Sequence, residues 1–159
     1  MMTSSTPTGE VEFSFNPARL DLDLIHRFLS TEAYWSIGIP RATVDRAIAH
    51  SLCIGAYRAD RGDGGQVGFA RLTTDRATFA YLSDVFVVTD ERGRGIAQRM
   101  VRALLDHDDV QGLRRIVLFT ADAHALYRGL GFSSLSRPER GMEILRPDSY
   151  RVSAMQASS

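Results

Sequence analysis

Apolar residues alternate with polar ones early in the chain and then recur at helical spacing. Residues 11–15 place valine or phenylalanine at every second position, which predicts a short strand. From Asp21 to Leu29 the apolar side chains follow the spacing of an amphipathic helix, and this spacing returns after Pro40. The first third of the chain is therefore predicted to form one strand and two helices.

The middle of the chain predicts a hairpin, a long strand and a helix. Apolar runs at residues 51–57 and 66–72 flank turn-forming residues at 61–65, which is typical of a β-hairpin. Residues 78–88 are rich in β-branched and aromatic side chains and predict a long strand. A loop of glycine and arginine then leads into a helix with this apolar face: Ile96, Met100, Val101, Leu104 and Leu105.

The last part of the chain shows weaker patterns. A short buried strand is predicted at residues 115–119 and a helix at residues 121–128, which glycines end. Two weak final strands are predicted near Ser133 and at residues 142–145. The order of helices and strands favours an α+β sandwich over a doubly wound fold.

Composition sets limits on the class of protein. A chain of 159 residues, 44% hydrophobic and 24% charged, has the size and balance of one globular domain. We predict that domain at residues 10–152, between disordered tails at residues 1–9 and 153–159. The 19 basic residues equal the 19 acidic ones, so no overall basic field favours nucleic acid or an anionic membrane as a partner.

The residue types that the chain lacks exclude lysine-based catalysis and an intrachain disulfide. The chain has no lysine, which excludes a Schiff base or a lysine nucleophile. Cys53 is the only cysteine, so an intrachain disulfide is excluded, and no Cys and His residues have the spacing of a zinc site. We therefore predict no metal and a reducing, cytoplasmic compartment. No apolar stretch approaches the length that spans a bilayer.

The loop at residues 92–97 has the composition of an anion site. It reads Arg-Gly-Arg-Gly-Ile-Ala and lies where a strand passes into a helix, so backbone N–H groups and the positive end of the helix point to one place. Such a loop suits a pyrophosphate. It lacks the Gly-Lys-Ser/Thr of a P-loop, and a tight turn with solvated arginines is the competing interpretation.

A second motif decides between these interpretations. Together with Val85-Phe86-Val87, the loop and the later segments 123–127 and 131–132 resemble the GCN5-related N-acetyltransferase (GNAT) superfamily. The family pattern Gln/Arg-x-x-Gly-x-Gly/Ala is matched at Arg92, Gly95 and Ala97. The pattern Ala-x-x-x-Tyr followed by Gly-Phe is matched at these positions: Ala123, Tyr127, Gly131 and Phe132. The resemblance covers roughly residues 66–132.

The resemblance implies a fold and a cofactor. The fold is a central mixed, mostly antiparallel sheet flanked by helices, with a splayed strand pair that holds acetyl-CoA. The implied cofactor contacts are Val85, Phe86 and Val87 for the pantetheine arm, followed by Arg92, Gly93, Arg94, Gly95, Ile96, Ala97, Gln98 and Thr120. Many relatives have asparagine where this chain has Thr120, whose hydroxyl reaches less far, so this contact is implied to be weak or absent.

Two residues are candidates for catalysis. Tyr127 matches the family's general acid and would protonate the departing thiolate, with a core tyrosine as the alternative. Asp84 lies in an apolar strand and is our candidate base, directly or through water. Strand alternation predicts that its side chain faces away from Val85 and Val87, and an ion pair with Arg71 or Arg76 is an equally favoured alternative.

Three residues are weaker candidates for contacts with the acceptor. Tyr34 and Trp35 suit a wall over an ammonium group, although ordinary core packing is slightly favoured. His124 shares a helix face with Tyr127, but a solvent-facing or capping role is favoured. Cys53 is predicted to pack in the core rather than act as a nucleophile.

These inferences predict an acetyl-CoA-dependent N-acetyltransferase that acts by direct attack in a ternary complex. The acceptor is predicted to be a primary amine of a small molecule or of a protein. The alternative is a non-catalytic acyl-CoA sensor, which would need neither Tyr127 nor Asp84. By resemblance the chain also suits a homodimer, and no nucleic-acid or membrane partner is predicted.

Overall fold

The computed structural model describes residues 9–62 and 64–151, which divide into two compact units. In the described part of the chain, the first unit comprises residues 9–21 and 50–120, and the second comprises residues 22–49 and 121–151. Apart from Gly9, the predicted tails lie outside the described residues. The boundaries of a single domain at residues 10–152 stay a prediction.

The first unit contains a five-stranded mixed sheet. Its strands are β1 (Val11–Ser14), β2 (Leu52–Arg58), β3 (Gln66–Thr74), β4 (Phe79–Val87) and β5 (Arg115–Val117). They lie in the order β1-β2-β3-β4-β5, with the first four antiparallel and β5 parallel to β4. The predicted hairpin and long strand are confirmed. The strand β5 is shorter than predicted: it ends at Val117, and the side chain of Phe119 is 73% exposed.

The predicted helices are present. They are α1 (Leu22–Thr31), α2 (Arg41–Ala49), α3 (Ile96–Leu105) and α4 (His124–Arg128). Helix α3 packs on the sheet through four buried side chains: Ile96, Met100, Val101 and Leu104. Each stabilises the fold by roughly 1.5–3 kcal/mol. A Cβ atom at Gly68 of β3 would lie 3.2 Å from the carbonyl oxygen of Phe86 and 3.3 Å from the Cβ atom of Ala56, so a glycine suits this crowded position.

Two expectations for the end of the chain are wrong. Helix α4 begins at His124 rather than at Ala121, because the backbone at Ala123 is not helical. Neither predicted final strand is present, since the residues near Ser133 and at 142–145 pair with no strand within the described parts of the chain. Strand formation needs a hydrogen-bonded neighbour, which an apolar pattern cannot supply by itself.

Cys53 has the predicted packing role. Its side chain is buried in β2, and this burial raises the pKa of the thiol to about 11. The thiolate is the reactive form, so the thiol is inert near neutral pH. Among the described residues no helix has the length and apolar character needed to cross a membrane.

Candidate active site

A β-bulge interrupts β4 at Asp84. The register with β3 passes from Phe69 opposite Phe86 to Arg71 opposite Ser83, so β4 has one additional residue between these pairs. Asp84 has a φ angle of 56°, in the left-handed region that residues other than glycine rarely adopt. The additional residue interrupts the two-residue period of the strand, and the predicted facing of Asp84 relative to Val85 stays a prediction.

Arg71 holds the Asp84 carboxylate. Its Nε atom donates to Oδ2 of Asp84 at 2.6 Å, and Asp84 is 9% exposed. Nη1 of Arg71 also donates to the hydroxyl oxygens of Ser51 at 3.2 Å and of Thr73 at 3.0 Å. Of the two predicted ion pairs the one with Arg71 is thus present, while Arg76 pairs with Asp109. The role of Asp84 as a base stays a prediction.

Strand β5 pairs along its whole length with only the beginning of β4. The parallel register covers Phe79, Ala80 and Tyr81 and ends there, whereas β4 continues to Val87. The predicted splayed strand pair is therefore confirmed. The predicted pantetheine contacts, Val85 to Val87, lie on the part of β4 beyond this pairing, where an extended ligand can add as a strand does. Thr120 follows β5 and is half-buried.

The loop after β4 has the backbone that the glycine pattern predicts. Gly93 and Gly95 have φ angles of 80° and 73°, and Gly95 is the residue that caps α3. A glycine cap has no side chain that could accept hydrogen bonds from the first N–H groups of the helix, which also have no intrahelical acceptor. Ile96, Ala97 and Gln98 form the first turn of α3. This arrangement suits an anion.

The arginines of the loop have different surroundings. The Nε atom of Arg92 donates to the carbonyl oxygen of Val87 at 3.0 Å, so Arg92 joins the loop to the end of β4. The side chain of Arg94 is 57% exposed and approaches Glu91 at 3.4 Å. Both arginines are exposed and can contact a phosphate group.

Sequence reasoning missed a buried ion pair next to this loop. Glu91 is 5% exposed, and Nη1 of Arg58 donates to both of its carboxylate oxygens at 2.9 Å. Arg61 also contacts Glu91, at 3.3 Å. The pair joins the end of β2 to the residue before Arg92, and an acidic residue that follows an apolar strand was the only signal in the sequence.

The second unit holds Tyr127 in a buried position on α4. Its side chain is 9% exposed, and its ring makes an edge contact with Phe132 at a centroid distance of 5.8 Å. Burial raises the pKa of Tyr127 to about 12, and the charges of Tyr34 and Asp122 contribute in the same direction. The phenol is therefore protonated at neutral pH, as a general acid must be before transfer. A core tyrosine would have the same geometry, so the catalytic role stays a prediction.

Tyr34 and Trp35 are exposed, which makes the favoured expectation of core packing wrong. Their exposed fractions are 57% and 43%, and their rings are in edge contact at 5.0 Å. The turn that contains these two residues is stabilised by a hydrogen bond, in which the buried hydroxyl of Ser36 donates to the carbonyl oxygen of Leu29 at 2.7 Å. The hydroxyl of Tyr34 accepts a hydrogen bond from the backbone N–H of Ala121 at 3.0 Å. Acceptor contacts by the aromatic pair stay a prediction.

His124 is the first residue of α4, and its side chain is exposed. This position agrees with the solvent-facing alternative. Its predicted contact with the acceptor is not tested by the structure.

Comparisons with known proteins agree on a family. The model of the acetyltransferase (GNAT) family matches residues 22–132. A Gibberella zeae protein that bears an acetyltransferase name is 33% identical over 142 residues, which cover 77% of this chain and 79% of that protein. A GNAT-family crystal structure from Xanthomonas campestris pv. campestris has 48% identity and a TM-score of 0.83, covering 89% of this chain and 96% of the other.

A more distant structure shares the fold. It is a predicted acetyltransferase from Clostridium acetobutylicum that was solved with acetyl-CoA. Its TM-score is 0.62 at 15% identity, with 86% of this chain and 96% of the other covered.

Proposed function

Because this chain belongs to the GNAT family of acetyltransferases, we propose that it is an acetyl-CoA-dependent N-acetyltransferase that acetylates a primary amine in a ternary complex. The family establishes acetyl transfer in general, and the donor, acceptor and mechanism are our proposal. The observation that carries it is the loop at residues 92–97, which presents a glycine-capped helix terminus directly after the splayed strand β4.

Acetyl-CoA as the donor is supported by two features of the first unit. The glycine-capped start of α3 suits the pyrophosphate of coenzyme A, with Arg94 exposed beside it. The part of β4 beyond its pairing with β5 suits the amide groups of the pantetheine arm, which hydrogen-bond like a short peptide. A distant structural relative was solved with acetyl-CoA, which agrees with this choice.

Transfer to an amine requires three events. The neutral nitrogen attacks the thioester carbon, the C–S bond breaks, and the nitrogen loses a proton while the thiolate gains one. We assign proton removal to Asp84, directly or through water, and protonation of the thiolate to Tyr127, which matches the family motif. The high pKa of Tyr127 keeps its proton available over the whole neutral range.

Exposed aromatic residues of the second unit support an amine as the acceptor. Tyr34 and Trp35 present their rings to solvent, and aromatic faces attract ammonium groups. We propose that they contact the acceptor before it is deprotonated. The amine belongs to a small molecule or to a protein.

Calorimetry with acetyl-CoA, followed by an assay of thiol release with a panel of amines, tests the proposal. Binding with release on one class of amines supports it. Binding without release on any amine favours the sensor alternative, and the absence of binding contradicts acetyl-CoA as the donor.

We expect Gly95→Val to weaken acetyl-CoA binding by at least about tenfold, because a β-branched residue is strained at a φ angle of 73°. Calorimetry measures the change in Kd. Gly112→Val is the matched control, since Gly112 lies in another turn with open space around its Cβ position. Equal affinities of the two variants would contradict the role of the loop.

We expect Asp84→Asn to lower kcat by roughly a hundredfold, because an amide cannot accept the proton of the amine. Asparagine tolerates the left-handed backbone at this position, so the substitution mainly removes the charge. Steady-state kinetics give kcat, and urea unfolding gives stability. An unchanged kcat with a lowered urea midpoint would show that Asp84 serves only as the structural partner of Arg71.

A further inference from the structure

The hydroxyl of Tyr34 links two segments of the second unit that are far apart in the sequence. Tyr34 lies in the α1–α2 turn, which comprises residues 32–40 between helices α1 and α2. Its hydroxyl accepts a hydrogen bond from the backbone N–H of Ala121 at 3.0 Å, across 87 positions of the chain. Ala121 lies shortly before α4, the helix that carries Tyr127. Although Tyr34 is largely exposed, its hydroxyl therefore joins the turn to the segment that leads into α4.

The α1–α2 turn holds the Tyr34 hydroxyl in a defined place. The backbone N–H of Gly38 donates to the carbonyl oxygen of Ser30 at 2.9 Å. Nε2 of His26 donates to the carbonyl oxygen of Ile39, also at 2.9 Å. Both hydrogen bonds join the turn to α1. The turn can thus act as a fixed support for the hydrogen bond to Ala121.

Helix α4 has little support of its own. It is five residues long, and an isolated helix of this length is not stable in water. The residue before it is Ala123, whose methyl side chain cannot accept hydrogen bonds from the first N–H groups of the helix. The backbone N–H of Tyr127 donates to the carbonyl oxygen of Ala123 at 3.3 Å. The position of Tyr127 therefore depends on how residues 121–123 are held.

We propose that Tyr34 is a positioning residue for Tyr127. Its hydroxyl holds residues 121–123, and these residues orient the phenol of Tyr127 toward the thiolate that it protonates. This role rests on the proposed function, in which Tyr127 is the general acid. The charge of Tyr34 contributes to the raised pKa of Tyr127, which agrees with two side chains that lie near each other.

Tyr34→Phe removes the hydroxyl and keeps the ring that we propose to contact the acceptor. We expect kcat to fall by about fivefold to tenfold, which matches the loss of one hydrogen bond between neutral groups. The KM for the amine and the Kd for acetyl-CoA are expected to stay within about twofold of wild type, because neither substrate is proposed to contact the hydroxyl. Steady-state kinetics and calorimetry measure these quantities, and thermal unfolding checks that the variant is folded.

The matched control for this substitution is Tyr57→Phe. It also removes a phenolic hydroxyl, but one that has no hydrogen-bond partner among the described residues. We expect this variant to keep the wild-type kcat.

A double-mutant cycle shows whether Tyr34 acts through Tyr127. Once residue 127 is phenylalanine, its side chain delivers no proton, so its orientation no longer affects the rate. We expect the double variant Tyr34→Phe/Tyr127→Phe to have the kcat of Tyr127→Phe within about twofold. Two independent effects would multiply, and the double variant would then be about fivefold to tenfold slower than Tyr127→Phe.

Amide hydrogen exchange tests the hydrogen bond itself, without any measurement of activity. In Tyr34→Phe we expect the backbone amides of Ala121 and Tyr127 to exchange at least about fivefold faster than in the wild type, while the amides of α1 keep their rates. NMR spectroscopy measures these rates residue by residue. Tyr57→Phe is expected to leave all of them unchanged.

The outcomes distinguish the role of Tyr34 from the proposed function. A wild-type chain that releases no thiol with any amine, or a Tyr127→Phe variant with the wild-type kcat, contradicts the proposed function and with it the role of Tyr34. If the wild type is active and Tyr127→Phe is slow, three results overturn the role of Tyr34 alone. They are a wild-type kcat in Tyr34→Phe, multiplied effects in the double variant, and unchanged exchange at Ala121.

Discussion

Replacement of Tyr127 by phenylalanine is expected to lower kcat by at least about a hundredfold, with the Kd for acetyl-CoA unchanged within about twofold. Phenylalanine keeps the ring and its contact with Phe132 but cannot protonate the thiolate. Steady-state kinetics and calorimetry give the two quantities. The effect belongs in kcat because the proton is transferred only after the substrates are bound.

A matched control for this substitution is Tyr57→Phe. Tyr57 is 3% exposed, and its hydroxyl has no hydrogen-bond partner among the described residues, so its removal costs little. We expect this variant to keep the wild-type kcat. If Tyr127→Phe also retains kcat within about threefold, Tyr127 is a core residue and the thiolate takes its proton from water.

The raised pKa of Tyr127 makes the stability of the folded protein depend on pH. Its folded-state value is about 12, above the ordinary value near 10, so the folded protein binds this proton more tightly than the unfolded chain does. The corresponding stability is fully present below pH ~10 and is lost as the pH rises toward ~12. Urea unfolding of the wild type should show this loss, and Tyr127→Phe should reduce it. Any fall of kcat between pH ~7 and ~10 must therefore arise from another group.

Replacement of Glu91 by alanine is expected to lower the free energy of unfolding by about 3–5 kcal/mol. Its carboxylate is buried and accepts two hydrogen bonds from Arg58, whose side chain is 13% exposed. Within residues 9–62 and 64–151, removal leaves this guanidinium with only Asp60 as a carboxylate partner. Because Glu91 directly precedes the loop, we also expect weaker binding of acetyl-CoA. Urea unfolding and calorimetry measure the two effects.

Asp60→Asn is the control for the Glu91 substitution. Asp60 contacts the same guanidinium at 2.7 Å but is more exposed, so solvent screens the loss of its charge. We expect a clearly smaller change in the urea midpoint. Equal urea midpoints for Glu91→Ala and Asp60→Asn would contradict the expectation that the buried carboxylate of Glu91 contributes more to stability.

The loop at residues 92–97 shows what local chemistry predicts well. Glycine is favoured where φ is positive, and both Gly93 and Gly95 have such angles. The apolar spacing of α3 likewise predicted the face that the helix buries. Both features depend on residues that are near one another in the chain, so pattern and structure agree.

Contacts between distant residues could not be predicted in this way. Arg58 and Glu91 are 33 positions apart, and only the pairing of the strands between them brings them together. The bulge at Asp84 was also missed, because its residues are compatible with regular alternation and only the register against β3 reveals the additional position.

The pattern of apolar residues in the sequence also could not predict which apolar side chains are exposed. Tyr34 and Trp35 have the composition of core residues, yet a turn held by Ser36 leaves both in solvent. The apolar residues at 142–145 resemble a strand but have no neighbouring strand within the described chain. An apolar side chain is buried only if another surface covers it, and that surface is set by the whole fold or by a partner.

The sequence by itself determined the family motifs, the order of most helices and strands, and the backbone of the loop at residues 92–97. These follow from residue spacing and from the conformational preferences of single residues. Only the tertiary structure decided that Arg71 holds Asp84, that Glu91 is buried beside Arg58, and that Tyr127 is buried with a raised pKa. Ion pairing and desolvation depend on distances in space, and these become defined only when separate segments pack together.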